Sequence, residues 1–404
     1  MNKIVQGERS DKCKTKLCDF AIPNRILSSQ KIGFVTDVDP FHDKKAWSGT
    51  IYKLCEAIQQ AGYDVIWIPY RRSGFRHWLL KKYYKLLWGK KVLRDQNKAF
   101  YRLCAKTVDK TLLSSCDFLF FAGHAQMAAY FEIKRPVIYY TDTTFELMLD
   151  YYWFGVPASI IRKGNEVERL GIHNSALNIR ASQWAADSVV HFYGADPKFV
   201  HVIEMGANIA DADISPIEPY VLGELRILFS GVEWERKGAE TAILTVEELN
   251  KRGINARLIM VGIKKVPDAY KGIPYVDYVG FLDKNDRQQY ERYIETVKST
   301  HIFLLPTQAE CAGIVFAEAS AFGIPIFTYD TGGIPNYVIN GVNGYRLPMS
   351  SSYVAFADKI IKAIQADELL VLGKGGMQLY KDKLNWHTWA QSFRKIMDKT
   401  FACK

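Results

Sequence analysis

The stretch HIFLLPTQAECAGIVFAEASAFGIPIFTYD, residues 301–330, contains one complete unit of the fold. HIFLLP is a continuous apolar run that ends at Pro306, and IPIFTYD is a second one, as is typical of strands buried on both faces of a sheet. Between them IVFAEASAF has a helical composition, and Gly323 suits the left-handed cap that ends a helix. The stretch therefore predicts a strand, a helix and a second strand parallel to the first.

The same alternation of strands and helices occurs in both halves of the chain. It begins with KIGFVTDV (31–38) and GTIYKLCEAIQQAGY (49–63) in the first half, and restarts with LRILFSG (225–231) in the second. A chain of 404 residues is long enough for two domains. We therefore predict an α/β protein with two Rossmann-like, doubly wound parallel-sheet domains, which bind ligand at the carboxyl ends of their strands.

The segment GANIADADISPIEPYVLGE (206–224) separates the two halves. It is acidic, contains proline and glycine, and has no clear apolar period. We place an N-terminal domain at 1–208, a linker at 209–222, a C-terminal domain at 223–385 and a final helical segment at 386–404.

Composition argues for a cytoplasmic protein. No run of about 18 or more apolar residues predicts a spanning helix, and the first thirty residues lack the apolar centre of a secretory signal. The seven cysteines show no CxxC spacing, so we interpret them as reduced thiols and not as disulfides or a zinc site.

Positive charge is concentrated in the first half. Residues 1–200 carry 30 Lys and Arg against 19 Asp and Glu, whereas residues 201–404 carry 23 against 24. The stretch 71–94 alone has nine Lys and Arg and no acidic residue. A basic half and a neutral half suggest two different tasks.

The basic stretch 71–94 has an amphipathic helical pattern. One half of its wheel is apolar, and the other carries cations and tryptophans that suit an anionic membrane surface: Trp78, Lys81, Lys82, Lys85 and Trp88. A connecting helix that packs its apolar side on the first domain explains the same pattern. No nucleic-acid-binding module is recognisable.

Glu310 and Glu318 bracket seven small or apolar residues after Pro306. Glu310 falls in the strand-to-helix loop and Glu318 on the helix itself. The amides of Ala312, Gly313 and Ile314 then lie at the helix N-terminus, which favours an anion. Two carboxylates around an anion site suit a ligand with hydroxyls and phosphates, although a solvated glutamate on an ordinary helix is the alternative.

Cations follow the first strand of the second half. LFSGVEWERKG (228–238) places Arg236 and Lys237 before the next helix, where they would neutralise a diphosphate. An exposed basic pair on a loop is the alternative. In the first half, Gly49 in AWSGT begins a helix directly after a strand, which predicts a second anion-ready N-terminus.

Together these segments resemble the retaining glycosyltransferases of family 4, which have the GT-B fold of two Rossmann-like domains facing a central cleft. The resemblance covers most of the chain. It rests on the Ser-Gly-Thr loop at 48–50 and on YYTDTTF (139–145), ASQWAA (181–186), HVIEMGANI (201–209), GVEWERKG (231–238), the Glu-x7-Glu run 310–318 and GIPIFTYDTGGIPNYVINGVNGYRLP (323–348).

The resemblance implies a transferase that uses a nucleotide sugar, such as a UDP-sugar or GDP-sugar, without a metal. It implies that Glu310 contacts the donor sugar, that Glu318 holds the ribose, and that Arg236 and Lys237 meet the diphosphate. The final helix is expected to cross back onto the first domain. The expected catalytic set is Glu310, Lys237, Arg236 and Asp142, and the expected donor-binding set is Gly49, Arg236, Lys237, Glu310, Cys311, Ala312, Gly313, Ile314, Glu318 and Phe281.

Four positions depart from the family pattern. Cys311 replaces the usual Gly, Val232 stands where many members have Arg, Asp142 where many have His, and Asn336 where a Glu is common. A non-catalytic protein on a degenerate GT-B fold is therefore an alternative function.

Two other chemistries are less favoured by the sequence. Asp37 and Asp39 form an Asp-x-Asp pattern that can hold a metal, but it lies too early in the chain for that role. His124 follows a strand, and we interpret it as a satisfied loop histidine.

The expected partners are a nucleotide-sugar donor and a glycan or lipid-linked acceptor, and no nucleic acid. We expect peripheral association with the inner face of the cell membrane and a role in cell-surface glycan synthesis. A soluble small-molecule acceptor is the alternative.

Overall fold

The computed structural model describes residues 30–72, 79, 82, 96–217 and 223–401. Their strands form two six-stranded parallel sheets, one in each half of the chain. The predicted α/β class with two doubly wound domains is therefore confirmed.

The first sheet has the strand order β2-β1-β3-β4-β5-β6. Its strands are nearly all apolar because helices cover both faces. Their bounds are β1 Lys31–Thr36, β2 Asp64–Pro69, β3 Phe118–Ala122, β4 Val137–Thr141, β5 Leu177–Arg180 and β6 Val200–Val202.

The second sheet has the order β12-β11-β10-β7-β8-β9. The strand that precedes Glu310, β10, lies between β7 and β11, so the loops after these strands meet at one edge. The bounds are β7 Leu225–Ser230, β8 Ala256–Val261, β9 Val276–Gly280, β10 Ile302–Leu305, β11 Ile326–Tyr329 and β12 Gly344–Leu347.

The α-helices of the described residues are divided between the two halves. In the first half they are α1 Thr50–Gln60, α2 Lys98–Ala105, α3 Lys110–Ser115, α4 Phe145–Met148, α5 Ala158–His173 and α6 Gln183–Asp187. In the second they are α7 Ala239–Lys251, α8 Arg287–Lys298, α9 Ile314–Phe322, α10 Tyr353–Gln365, α11 Glu368–Asp382 and α12 Trp386–Phe401.

Helix α9 is the one predicted from IVFAEASAF, and every residue from Phe316 to Phe322 is buried. Apart from Glu318 and Ser320 this helix is apolar on all sides, as is typical of a helix inside a protein. Gly323 ends it with φ at 72°, the left-handed conformation that glycine adopts without strain.

Helix α12 at the end of the chain packs on the first sheet. The Trp389 ring lies 5.6 Å from that of Tyr140, and the Phe393 ring lies 5.8 Å from that of Tyr63. The Arg394 guanidinium donates to the carbonyl of Ala61 at the end of α1. The last helix therefore links the two halves.

The membrane-binding segment expected at 71–94 falls mostly outside the described residues, and so do Trp78, Lys81, Lys85 and Trp88. Of that set only Lys82 is described, as an exposed helical residue. Leu79, which the wheel places on the apolar half, is 45 % exposed. No helix among the described residues is long and apolar enough to cross a membrane.

Candidate active site

Glu310, in the loop between β10 and α9, is at the centre of the candidate site. Its carboxylate forms an ion pair with the ammonium of Lys237 and lies 4.0 Å from the guanidinium of Arg236. The side chains of Lys237 and Glu310 are only 9 % and 16 % exposed, so water screens the pair weakly. The parallel order of β7 and β10 brings their loops together, and with them these three predicted residues.

The guanidinium of Arg236 donates four hydrogen bonds to protein groups. It donates to both carboxylate oxygens of Glu233, at 2.9 and 2.8 Å, and to the Ala309 carbonyl at 2.9 Å. It also donates to the Tyr152 hydroxyl at 3.2 Å. Arg236 therefore holds the loop that carries Glu310, and Glu233 neutralises its charge.

Two tyrosines from the first domain complete this loop. The hydroxyl of Tyr151 accepts the backbone N–H of Glu310 at 2.8 Å and lies 3.0 Å from the Thr331 hydroxyl. The hydroxyl of Tyr152 donates to the Ala309 carbonyl at 3.2 Å. Sequence reasoning missed both residues, because two adjacent tyrosines in a loop carry no spacing signal.

Gly332 makes the close approach of Tyr151 possible. Its φ is +54°, and a Cβ there would lie 2.2 Å from the Glu310 carbonyl oxygen and 2.3 Å from the Tyr151 hydroxyl. Only glycine satisfies both requirements. The GGIP segment thus shapes the loop around Glu310.

Asp142, which follows β4, faces Glu310 from the first domain. Burial raises the pKa of Asp142 to about 6, and the negative charge of Glu310 adds to this rise. A hydrogen bond from the Trp47 side chain opposes it. The first domain thus places a second carboxyl group near Glu310, and its pKa is raised.

The loop before α1 has an unusual backbone. Trp47, Ser48 and Gly49 have φ values of 50°, 56° and 89° in succession. Left-handed non-glycine residues persist only where the surroundings hold them. Here the Asn208 amide donates to the Ser48 carbonyl at 2.8 Å, and Trp386 donates to Asn208 at 3.0 Å. Gly49 therefore starts α1 beside the cleft, within a loop held by the C-terminal helix.

The stretch from Cys311 to Ile314 leads into α9. Cys311 and Ala312 are buried, and the Cys311 thiol lies 3.7 Å from the sulfur of Met148. Burial raises the pKa of this thiol well above its ordinary value, so it stays protonated. Gly313 has an extended backbone, and a Cβ there would meet the Phe316 ring at 2.5 Å. The first amides of α9, beginning at Ile314, have no partner within the helix.

Glu318 is almost completely buried, with a side-chain exposure of 2 %. Its two carboxylate oxygens accept from the Lys284 ammonium at 2.5 Å and from the Tyr293 hydroxyl at 2.6 Å. Both partners lie in the segment after β9, and the sequence reasoning identified neither.

Phe281 is an exposed ring at the end of β9. It is 47 % exposed, and the Lys264 ammonium lies 4.3 Å from its ring centroid. Val232, which stands where relatives of family 4 often carry Arg, is 52 % exposed. Lys264 thus covers one face of the Phe281 ring, and the rest of the ring and Val232 form an apolar surface at this edge.

Asn336, which stands where family members commonly have Glu, makes contacts that suit an amide side chain. Its amide donates to the carboxylate of Glu204 at 2.6 Å and accepts the N–H of Gln183 at 2.9 Å. The Lys383 ammonium also lies 2.8 Å from Glu204, so a glutamate at 336 would set two carboxylates beside one cation. The asparagine thus joins the two domains at the cleft.

The aspartates of the possible metal site, Asp37 and Asp39, form ion pairs within the protein. Asp37 pairs with Arg72 at 2.6 Å, and Asp39 with His42 at 2.9 Å. Burial lowers the pKa of His124 to about 3, so this ring stays neutral. Among the residues that the structure describes, no group of three or more His, Cys, Asp or Glu could hold a metal ion.

Comparison with solved structures shows the class of the fold. The chain is similar to sucrose-phosphate synthase from Thermosynechococcus elongatus, with a TM-score of 0.69, 16 % identity and coverage of 93 % of this chain and 100 % of that one. For the lipopolysaccharide biosynthesis glycosyltransferase WaaG the TM-score is 0.59, with 13 % identity and coverage of 92 % and 100 %. The fold is that of GT-B glycosyltransferases.

Part of the C-terminal half matches a family model. Residues 213–371 match the family model of glycosyl transferases group 1. This match confirms the resemblance to GT-B glycosyltransferases and is consistent with family 4.

Curated relatives are similar to only part of this chain. The chain is 25 % identical over 154 residues to the capsular polysaccharide biosynthesis glycosyltransferase CapM of Staphylococcus aureus, covering 37 % of this chain and 39 % of CapM. It is 28 % identical over 211 residues to the D-inositol 3-phosphate glycosyltransferase of Corynebacterium efficiens, covering 48 % and 49 %. The chain thus spans half or less of the length of these relatives.

Proposed function

We propose that the protein is a retaining glycosyltransferase that moves a sugar from a nucleoside-diphosphate sugar to an acceptor hydroxyl. The observation that carries this proposal is the shielded Glu310–Lys237 pair, in which the charge of Glu310 also helps to raise the pKa of Asp142 in the first domain. A carboxylate accepts hydrogen bonds from sugar hydroxyls, and an ammonium beside it stabilises a departing diphosphate.

In the proposed reaction, Glu310 orients the donor sugar, while Lys237 and the first amides of α9 meet the diphosphate. The acceptor oxygen forms a bond to the anomeric carbon on the face from which the diphosphate leaves, so the configuration is retained. The acceptor proton leaves with the diphosphate. Because protein cations neutralise the leaving group, we propose that no metal is needed, and we expect turnover to be unchanged in excess EDTA.

A donor screen tests this proposal. Purified protein is incubated with UDP-sugars and GDP-sugars, and the released nucleoside diphosphate is measured with and without EDTA. We expect slow hydrolysis of one donor, and less of it with Lys237→Ala. If no donor is hydrolysed and neither UDP nor GDP binds, the proposal is wrong, and a degenerate, non-catalytic fold is the better explanation.

For the acceptor we propose a cell-surface glycan or its lipid-linked precursor, with the enzyme on the cytoplasmic face of the membrane. Support comes from the basic stretch 71–94 and from the relative named for capsular polysaccharide biosynthesis. We expect sedimentation with anionic but not neutral vesicles at low salt, and release by Lys81→Glu, Lys82→Glu and Lys85→Glu. A wild-type protein that stays in the supernatant would exclude the membrane role.

A small-molecule acceptor is the second candidate. It is favoured by the 28 % identity to a D-inositol 3-phosphate glycosyltransferase. Sugar transfer to D-inositol 3-phosphate in the absence of vesicles would support it over the membrane-bound glycan.

A further inference from the structure

A second cluster of cations lies at the outer edge of the second sheet. Strand β12 is an edge strand of that sheet, and α10 follows it in the chain. Between them is a groove of about 320 Å³, which Arg346, Lys359 and Lys362 line together with Tyr345. Pockets for small ligands begin at about 300 Å³. Strand β11 separates β12 from β10, so the groove is distinct from the site around Glu310.

Arg346 is poorly satisfied by the protein. Its side chain is 18 % exposed, and its guanidinium lies 3.3 Å from a carboxylate oxygen of Asp330. Within the part of the chain that the structure describes, however, its buried Nε and Nη1 atoms donate no hydrogen bond. Buried donors almost always have a partner, and an unpaired one calls for an acceptor such as an ion. An anion in the groove supplies that acceptor if the guanidinium turns towards it.

The two lysines present their charges from one face of α10. Lys359 and Lys362 are three positions apart, so their side chains are neighbours on the helix surface. The Lys359 ammonium lies 3.3 Å from the centroid of the Tyr345 ring, which holds it at the groove. Lys362 is exposed. With Arg346, three positive charges therefore border a space that a small ligand can enter.

The carboxylates near this cluster are already engaged. Asp358 also lines the groove, but it pairs with Arg252 at 2.5 Å. Glu368 accepts a hydrogen bond from the Tyr345 hydroxyl at 2.7 Å. The charge of the three cations is therefore only partly compensated, and the groove attracts an anion.

We propose that this groove is a second ligand site, which binds the phosphate group of a small molecule. Arg346 donates hydrogen bonds to phosphate oxygens, and Lys359 and Lys362 balance the remaining charge. A phosphate monoester carries up to two negative charges and three acceptor oxygens, which suits three cations better than a single carboxylate does. Free phosphate and a sugar phosphate share this chemistry, and the experiment distinguishes them.

Isothermal titration calorimetry tests the site with three probes: inorganic phosphate, glucose 6-phosphate and uncharged glucose. The variants are Arg346→Gln and a double variant, Lys359→Gln with Lys362→Gln. The double variant changes only helix-surface lysines, so it provides the comparison if Arg346→Gln does not fold. The matched control is Lys271→Gln, whose lysine is 63 % exposed and paired with Asp268.

We expect wild type and Lys271→Gln to bind at least one of the two phosphates and not glucose. Arg346→Gln and the double variant should bind that phosphate about tenfold more weakly or worse, because charge-assisted hydrogen bonds are lost. Tighter binding of glucose 6-phosphate than of inorganic phosphate would identify a sugar phosphate as the ligand class. Equal binding of the two would support recognition of the phosphate group alone.

Three results would overturn the proposal. The first is a wild type that binds neither phosphate. The second is binding that both groove variants retain in full; a loss in Lys237→Ala would then place the phosphate in the candidate active site. The third is an equal loss in Lys271→Gln, which would indicate attraction by surface charge in general. None of these results depends on sugar transfer, so the groove and the proposed function are tested separately.

Discussion

Replacing Tyr151 by phenylalanine should separate positioning of the donor sugar from binding of the nucleotide. The change removes a single hydroxyl and leaves the backbone N–H of Glu310 without its partner at 2.8 Å. A fully buried donor without a partner costs about 1–3 kcal/mol, and because this contact is partly buried the range is an upper bound. Each 1.36 kcal/mol of transition-state stabilisation is a factor of ten in rate. If the hydrogen bond is needed only in the transition state, its loss lowers kcat by roughly 5- to 150-fold.

The assay measures kcat with the donor found by screening and, separately, the Kd of the matching nucleoside diphosphate. We expect Tyr151→Phe to lower kcat while the Kd changes by less than about twofold, since the hydroxyl contacts the Glu310 loop and not the segment after β9. Tyr63→Phe is the matched control, because Tyr63 precedes β2 at the opposite end of the first sheet. A folded Tyr151→Phe variant with wild-type kcat would refute this reasoning.

Three further substitutions test the cleft. Lys237→Ala should lower kcat by about 10²–10³-fold, the usual loss for one preorganised group. The variant should still unfold in a cooperative thermal transition, which shows that the loss is not caused by unfolding. An equal loss of kcat in Lys271→Ala would contradict this prediction. Asp142→Asn should stabilise the protein more at pH 7.5 than at pH 4, as measured by urea unfolding. The folded pKa of about 6 exceeds the ordinary 3.8, so stability falls as pH rises between these values; a constant difference would be inconsistent with a raised pKa. Asn336→Asp should lower the melting temperature by repulsion with Glu204, and Glu204→Gln should restore it.

The strands and α9 were predictable because elements that are buried on both faces consist of continuous apolar runs in the sequence. β10 and β11 are continuous apolar runs, and the helix between them ends at a glycine with φ of 72°. The loops at the carboxyl ends follow from the parallel order of the strands. For this reason Lys237 and Glu310 could be expected to lie near one another before their contact was known.

The partners of these residues could not be predicted in the same way. Tyr151 lies 159 positions from Glu310 in the chain, and Lys284 lies 34 positions from Glu318. Neither contact repeats with a helical or strand period, so no window of sequence contains the information. The positive charge of Arg236 is evident from the sequence, and on that basis the side chain was predicted to bind phosphates. Its hydrogen bonds to Glu233 depend on how the backbone turns between the two residues.

Two of the four departures from the family pattern, Asn336 and Asp142, make defined contacts within this chain. Asn336 faces Glu204, a carboxylate that would repel the common glutamate. Asp142 is bonded by Trp47 and faces Glu310 across the cleft. A degenerate cleft would be expected to lose charged groups that cost stability when buried, because nothing would maintain them. Here Glu310, Lys237 and Asp142 remain together at low exposure, and this favours a working transferase over a non-catalytic relative.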